Sequence, residues 1–145
     1  MQTFITDYDF SKSAKNLDRK RLGSQIYEGI HILASLLDKN EDLINPKRDV
    51  SNHPAAKLWI GYERELMNYI KVHMVEWADR GYSSDINIGN YLMLAAYILP
   101  FDNVPYWVTD ELIETHRSVL VKKDKLYYKE IFGYVAIKEM RYTWV

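Results

Sequence analysis

The chain has 145 residues, 48% of them hydrophobic and 27% charged, which is the composition of a globular domain rather than of a disordered segment. It contains no cysteine, so disulfides, zinc–thiolate sites and cysteine nucleophiles are excluded. Its formal net charge of −1 argues against a general polyanion binder.

The N-terminal part of the sequence predicts an arm followed by a long helix. The first ten residues alternate loosely between polar and apolar side chains, and we interpret them as an extended arm lying on the domain. A helix from about residue 12 to residue 38 is then predicted, with Ser11 or Ser13 as its cap. Its apolar stripe recurs at steps of three and four, at Leu22, Ile26, Ile30, Leu33 and Leu37.

A second long helix is predicted to begin at Pro54, because proline suits the first helical position. His53 or Asn52 is the expected cap, and Gly81 is the expected end. A third helix is predicted from Ile86 to Leu99. Since this segment is apolar on nearly all sides, we expect the third helix to be buried.

Two shorter helices complete the prediction. Thr109 is expected to cap one that runs to about Val121, and Asp124 to cap KLYYKEIF. The tail GYVAIKEMRYTWV is expected to pack back on the body. Without any strand pattern, the sequence predicts an all-α fold, a single compact domain of about four to five helices over residues 1–145 with an extended N-terminal arm.

The two ends of the chain are basic and the middle is acidic. Residues 1–28 carry five basic and four acidic side chains, and residues 116–145 carry seven basic and three acidic ones. Residues 29–115 carry seven basic and thirteen acidic ones. If the two ends meet, they form one basic face for a polyanion, whereas ordinary solvated termini explain the pattern equally well.

Nothing in the sequence points to a membrane or to export. The start MQTFITDYDF lacks the basic flank of a signal peptide, and no apolar run is long enough to span a bilayer. We therefore expect a cytoplasmic protein without a membrane partner.

One polar face of the first long helix is a candidate site. Its members are spaced at three and four: Arg21, Ser24, Gln25, Glu28 and His31. A carboxylate at the edge of a core, flanked by Arg21 and His31, suits acid–base or electrostatic work. Spacing alone favours the simpler interpretation, in which Glu28 is a surface glutamate in charge contacts with its neighbours.

Asn52 and His53 form a second candidate site at the start of the second long helix. The unpaired N–H groups of a helix N-terminus attract anions, so His53 there suits a phosphate or a base edge. An equally good interpretation makes His53 a capping side chain only.

A third candidate site combines basic and aromatic residues near the C-terminal end: His116, Arg117, Lys122, Lys123, Tyr127 and Tyr128. Such an alternation suits a nucleic-acid strand whose phosphates are paired and whose bases are stacked. The alternative is a basic helix end with its tyrosines in the core. The histidines show no metal-ligand spacing and no phosphate-binding loop is present, so neither a metal nor another cofactor is expected.

Three stretches together resemble a known family. They are MQTFITDYDFSKSAKNLDRKRLGSQIYEGIHIL, SNHPAAKLWIGYE, and ETHRSVLVKKDKLYYKEIF with a YTWV tail. They resemble the pyrimidine-dimer DNA glycosylase (endonuclease V) family, in a divergent bacterial and phage branch. LDRKRLGSQ and NHPAAKLW are the most specific parts, and the resemblance covers nearly the whole chain.

The resemblance implies an endonuclease V-like fold and a chemistry based on the chain's own α-amine. In this family the α-amine attacks the sugar C1′, the base leaves, a Schiff base forms and β-elimination nicks the strand. Met1 and Glu28 are the implied catalytic residues. α-Amines suit this role because their reference pKa is near 8, against about 10.4 for lysine. The residues expected to bind substrate are Gln2, Arg21, Gln25, His31, Asn52, His53, His116, Arg117, Lys122, Lys123, Tyr127 and Tyr128.

The sequence also departs from the family pattern. Gln2 is too large for efficient removal of the residue before it, so we expect Met1 to be retained. Tyr27 and His31 stand where the family has arginines that hold phosphates. The first hypothesis is therefore a DNA glycosylase, with or without abasic-site lyase activity, that excises a damaged or modified pyrimidine.

Two other hypotheses stay open. One is a non-catalytic protein that binds a nucleotide or nucleotide-like signal on the same fold, in a phage–host defence role, with Arg21, His53 and Arg117 on phosphates. The other is a structural or interaction domain. The expected partner is DNA or a nucleotide, and the apolar segment from Ile86 to Leu99 also allows a homo-oligomer.

Overall fold

A computed structural model describes residues 1–133, and this part of the chain is helical without any strand. Its α-helices are α1 (Phe10–Lys15), α2 (Arg19–Leu36), α3 (Pro54–Lys57), α4 (Glu63–Asp79), α5 (Asp85–Ala95), α6 (Asp110–Lys123) and α7 (Lys125–Phe132). A short 3-10 helix, Asn40–Asp42, follows α2. The predicted all-α class is confirmed, with seven α-helices in this range instead of four or five. The predicted packing of the tail lies outside the described residues.

The predicted first long helix is two helices, α1 and α2, so the prediction of one continuous helix was wrong. Side chains from distant parts of the chain form hydrogen bonds with the backbone groups between the two helices. The Arg80 guanidinium donates to the Leu17 carbonyl oxygen at 2.7 Å, and the Tyr128 hydroxyl accepts from the Asp18 N–H at 3.0 Å. Because both partners come from distant parts of the chain, helical spacing within residues 12–38 carries no sign of the break.

Asp9, rather than Ser11 or Ser13, caps the first helix. Its carboxylate accepts from two N–H groups of the first turn, at 2.9 Å and 3.4 Å. Ser13 is fully buried and its hydroxyl accepts from the Thr6 N–H instead. The predicted caps were therefore wrong, because the Ser13 hydroxyl bonds to the N-terminal arm instead of to the first turn of the helix.

The predicted second long helix is likewise divided, into α3 and α4. Gly61 interrupts it with a φ of +85°, a left-handed conformation that favours glycine. The remaining signals are confirmed: His53 Nδ1 accepts from the Ala55 N–H at 3.0 Å as a cap, and Gly81 follows the end of α4 with a φ of +89°. Thr109 caps α6 and Asp124 caps α7, as predicted.

Helix α5 lies on the surface, which corrects the prediction of a buried third helix. Within α5 only Asn90 and Leu94 are buried. Ile88 is 45% exposed and Leu92 63% exposed. The helix packs one side against α2 and leaves the rest to solvent. Among the described residues no helix combines the length and hydropathy needed to cross a membrane.

Two apolar clusters hold the helices together. The larger cluster surrounds the packed pair α2 and α4 and contains Trp59, Tyr69 and Trp107. The smaller one joins the N-terminal arm to α2, α6 and α7 through Phe4, Leu17, Leu22, Leu120 and Tyr128. The arm thus lies where both ends of the described chain meet.

The close packing of α2 against α4 can be tested with two glycine-to-alanine variants. A Cβ on Gly29 would lie 2.8 Å from Ile70 Cγ1, so we expect Gly29→Ala to lower the free energy of unfolding by about 1–3 kcal/mol. A Cβ on Gly23 would lie 3.3 Å from the Trp77 ring, and helix propensity favours alanine by roughly 0.5–1 kcal/mol, so Gly23→Ala should be close to neutral. Urea unfolding of both variants measures the difference, and equal effects would contradict the packing described.

Candidate active site

The N-terminal arm, residues 2–6, is buried although it belongs to no helix or strand. Buried backbone N–H groups need partners, and here side chains supply them. The acceptors are Gln25 Oε1 for Phe4 (2.7 Å), His116 Nδ1 for Ile5 (2.8 Å) and Ser13 Oγ for Thr6 (2.9 Å). Three different helices therefore hold the arm in one position, which confirms the predicted arm lying on the domain.

Gln25 contacts the arm on two sides. Its Nε2 donates to the Gln2 carbonyl oxygen at 2.9 Å while its Oε1 accepts from the Phe4 N–H. The Tyr69 hydroxyl lies 2.7 Å from the same Oε1 and 2.8 Å from the Phe4 carbonyl oxygen. Gln25 is 2% exposed, so these contacts use its amide for positioning the arm.

His116 is also part of this internal network. It is 1% exposed, and burial lowers the pKa of His116 to about 3, so the ring is neutral at neutral pH. The side-chain amide nitrogen of Gln2 lies 3.2 Å from His116 Nε2. Gln2 and His116, both predicted to bind substrate, are thus brought together between the arm and α6, away from solvent.

Glu28 lies at the start of the arm. Its Oε2 accepts from the Gln2 N–H at 3.2 Å and from Gln25 Nε2 at 3.4 Å. Burial raises the pKa of Glu28 above its ordinary value, while the Gln2 hydrogen bond and the positive charges of the α-amine and Lys123 act in the opposite direction. The structure therefore brings together the two residues that the sequence proposed as catalytic, Met1 and Glu28.

A pocket of about 490 Å³ opens in front of this pair. It is lined by Met1, Gln2, Phe4, Lys20, Arg21, Ser24, Gln25, Glu28, Val119 and Lys123. Three basic side chains and the α-amine face a single carboxylate. The pocket is therefore suited to an anionic substrate.

His53 lies near the same α-amine. Burial, and secondly the charge of the α-amine, lower the pKa of His53. Since its Nδ1 accepts from the Ala55 N–H, a neutral His53 ring carries its hydrogen on Nε2. The capping role of His53 is confirmed, and its contact with a phosphate or a base edge stays a prediction.

Comparison with known proteins identifies the family of this chain. The family model for pyrimidine dimer DNA glycosylase matches residues 1–89. The chain belongs to the pyrimidine dimer DNA glycosylase family. No curated protein and no solved structure matches it. Membership in this glycosylase family supports a pyrimidine dimer DNA glycosylase-like function with DNA as the substrate class.

The matched range covers most of the pocket beside Met1 and Glu28 but not all of it. The arm, α2 and the α3 cap lie within residues 1–89. Val119 and Lys123, on α6, lie beyond that range but line the pocket, and the smaller apolar cluster ties α6 to the arm. The resemblance based on ETHRSVLVKKDKLYYKEIF lies outside the matched range and stays a prediction, although two residues of this segment line the pocket.

Several predicted substrate-binding residues lie elsewhere. Tyr128 is fully buried and its hydroxyl bonds to Asp18, so its ring is not exposed for base stacking. Arg117 donates to the Thr6 carbonyl oxygen at 2.8 Å and lines a separate surface pocket. The predicted residues that are exposed on the surface and do not line the pocket beside Glu28 are Asn52, Lys122 and Tyr127.

His31 lies one helical turn from Glu28 but does not line the same pocket. Its ring lies against Tyr27, with centroids 4.1 Å apart, and it lines a different pocket that includes residues of α5. Conversely, Lys20 lines the pocket beside Glu28 although the sequence analysis did not select it. Helical spacing contained the signal, because Lys20, Ser24 and Glu28 are four residues apart.

The two most deeply buried histidines make stability depend on pH. Burial lowers the pKa of His73 to about 4 and that of His116 to about 3, from an ordinary value of about 6.5. The unfolded chain therefore takes up these protons first as the pH falls. We expect the stabilisation from neutral histidine to be complete above about pH 6.5 and to be lost towards pH 4, by up to about 1.4 kcal/mol per pH unit and group.

His116→Asn isolates one of the two groups. The asparagine oxygen can take the position of Nδ1 and accept from the Ile5 N–H, but it does not titrate. The free energy of unfolding, measured by urea titration from pH 7 to pH 4, should fall less steeply for His116→Asn than for the unmodified chain. Identical slopes would mean that His116 is not held neutral by burial.

Proposed function

We propose that this chain is a DNA glycosylase with an associated abasic-site lyase step, acting on a damaged or modified pyrimidine. One observation carries the proposal: the start of the chain is held beside a half-buried carboxylate, with the Gln2 N–H donating to Glu28 at 3.2 Å. A surface glutamate in charge contacts with its helix neighbours alone would not accept a hydrogen bond from the start of the chain.

In the proposed reaction the Met1 α-amine is the nucleophile. Its nitrogen forms a bond to the sugar C1′ as the glycosidic bond breaks, and the base leaves with the electron pair and takes up a proton. Opening of the sugar ring gives a Schiff base between C1′ and the α-amine. Loss of a proton from C2′ then expels the 3′ phosphate, which nicks the strand.

Glu28 has two tasks in this scheme. As a carboxylate it stabilises the positive charge that develops at C1′ and on the Schiff base. It also accepts a proton from the attacking α-amine, a role favoured by a raised pKa. Burial beneath the pocket strengthens both effects, because charges interact more strongly away from water.

The basic residues of the pocket would bind the phosphates. Lys20 and Arg21 come from α2 and Lys123 from the end of α6, so two helices contribute to one surface. Arg21 is oriented by Asp18, with 3.4 Å between Nη1 and Oδ1. His53, whose pKa is lowered by burial and by the charge of the α-amine, would contact the same sugar–phosphate. Since C1′ of a stacked nucleotide is inaccessible, the target base must leave the stack.

The alternative of a non-catalytic nucleotide-binding protein is less well supported. It needs Arg21, His53 and Arg117 to converge on phosphates. Arg117, however, lines a pocket with Asp7, Asp110 and Glu114, whose carboxylates disfavour an anion.

The substitution Glu28→Gln tests the catalytic proposal, because it removes the charge and keeps the shape. We expect base release and strand nicking to fall by roughly 10²–10⁴-fold, with DNA affinity changed little. The substrates are duplexes that contain a thymine dimer, a hydroxymethylated pyrimidine or an abasic site. Single-turnover nicking and equilibrium binding at fixed salt are measured together.

Glu65→Gln is the matched control. Glu65 is a glutamate that is only 7% exposed on α4, outside the pocket, so the same chemical change there should leave turnover intact. Full turnover by Glu28→Gln, or no turnover of any of the three substrates by the unmodified chain, would refute the glycosylase proposal.

A further inference from the structure

A second pocket lies one helical turn along α2 from Glu28. Its volume is about 320 Å³, which suits a ligand the size of a nucleoside. It is lined by Tyr27, His31, Ile44, Asn45, Lys47, Ser84, Ile86, Asn87 and Asn90, which come from α2, the segment after the 3-10 helix, and α5 with its cap. We refer to it as the His31 pocket.

His31 has a hydrogen-bonding atom that the fold leaves unused. The residue is only 6% exposed, and its Nδ1 lies 2.8 Å from the Tyr27 carbonyl oxygen. A carbonyl oxygen only accepts, so Nδ1 carries the hydrogen and Nε2 of the neutral ring is an acceptor. This Nε2 is buried and has no partner among the described residues. His73 Nε2 is likewise buried without a partner among the described residues, but only His31 lines this pocket, which makes its Nε2 a candidate ligand contact.

A second histidine has the same local arrangement but no pocket. His73 Nδ1 lies 2.6 Å from the Tyr69 carbonyl oxygen, and its ring lies on Tyr69 with centroids 3.9 Å apart. The corresponding centroid distance for His31 and Tyr27 is 4.1 Å, and both pairs are tilted by 33°. His73 is fully buried and lines neither this pocket nor the catalytic one. His73 is therefore an internal reference for His31.

The two pockets differ in the charge of the residues that line them. In the described part of the chain, Lys47 is the one charged residue in the lining of the His31 pocket, and the neutral amides of Asn45, Asn87 and Asn90 supply much of its polar surface. The pocket beside Glu28 has three basic side chains against one acidic. The His31 pocket therefore attracts a polyanionic strand less strongly and suits a ligand without charge.

We propose that the His31 pocket binds an uncharged nucleobase or nucleoside. The amides of Asn45 and Asn87 offer paired donors and acceptors for a base edge, and Lys47 donates to a base carbonyl. Ile44 and Ile86 supply the apolar walls that a planar ring needs. His31 Nε2 accepts from a ring N–H or an exocyclic amino group of the base. This inference is independent of the proposed glycosylase activity, since it requires neither Met1 nor Glu28.

The test is an NMR titration of the ¹⁵N-labelled chain with thymidine, deoxycytidine, deoxyadenosine and deoxyguanosine. We expect the His31 Nε2 resonance to shift and saturate with at least one nucleoside, because a bare ring nitrogen changes its ¹⁵N shift on accepting a hydrogen bond. The His73 Nε2 resonance should stay in place. No movement of His31 with any of the four nucleosides would overturn the proposal, as would equal movement of both histidines.

Variants and a second probe separate this pocket from the catalytic one. His31→Phe keeps the ring shape and removes the acceptor, so calorimetry should show nucleoside affinity weakened about tenfold or more. Asn87→Leu gives the same test if His31→Phe does not fold. Glu28→Gln, in the catalytic pocket, should bind nucleoside unchanged even if glycosylase activity is absent. If a single-stranded oligonucleotide shifts His31 at lower concentration than the nucleosides do, the occupant is DNA, and the proposal of an uncharged free ligand fails.

Discussion

The site depends on one constraint: the backbone of the arm is buried without belonging to a helix or a sheet. Each N–H group that is left unpaired away from water destabilises the folded chain, so the surrounding helices must provide acceptors. Gln25 from α2, His116 from α6 and Ser13 from α1 meet this demand. These three polar residues are accordingly buried, and the position of Met1 follows from their contacts with the arm.

This arrangement makes one electrostatic unit from the two ends of the chain. The arm brings the α-amine to Glu28, and the same arm packs through Phe4 against α6, whose last turn carries Lys123. Lys20 and Arg21 from the N-terminal basic segment and Lys123 from α6 therefore line one pocket, although the chain as a whole is slightly acidic. Local charge, rather than net charge, decides whether such a protein can hold a nucleic-acid backbone.

Features that depend on neighbouring residues were predicted correctly from the sequence. Features that depend on contacts between distant residues were not. The caps at His53, Thr109 and Asp124 depend only on their own helices, and all three are confirmed. The break before α2 depends on Arg80 and Tyr128, which are distant in sequence and cannot be read from spacing. The same contrast between local and long-range features holds for the functional site. The family resemblance and the helix face indicated Glu28, whereas the hydrogen bonds of Gln25 and His116 to the arm were not predicted, because a polar residue in a motif gives no sign of its burial.

The most direct test of the central claim is to map the covalent adduct on the chain. Borohydride trapping on a duplex with an abasic site, followed by proteolysis and mass spectrometry, identifies the nitrogen that forms the Schiff base. The account predicts an adduct on the Met1 α-amine, because the arm holds that group beside Glu28. An adduct on Lys20 or Lys123, which line the same pocket, would show that the arm does not deliver the nucleophile and would contradict the account.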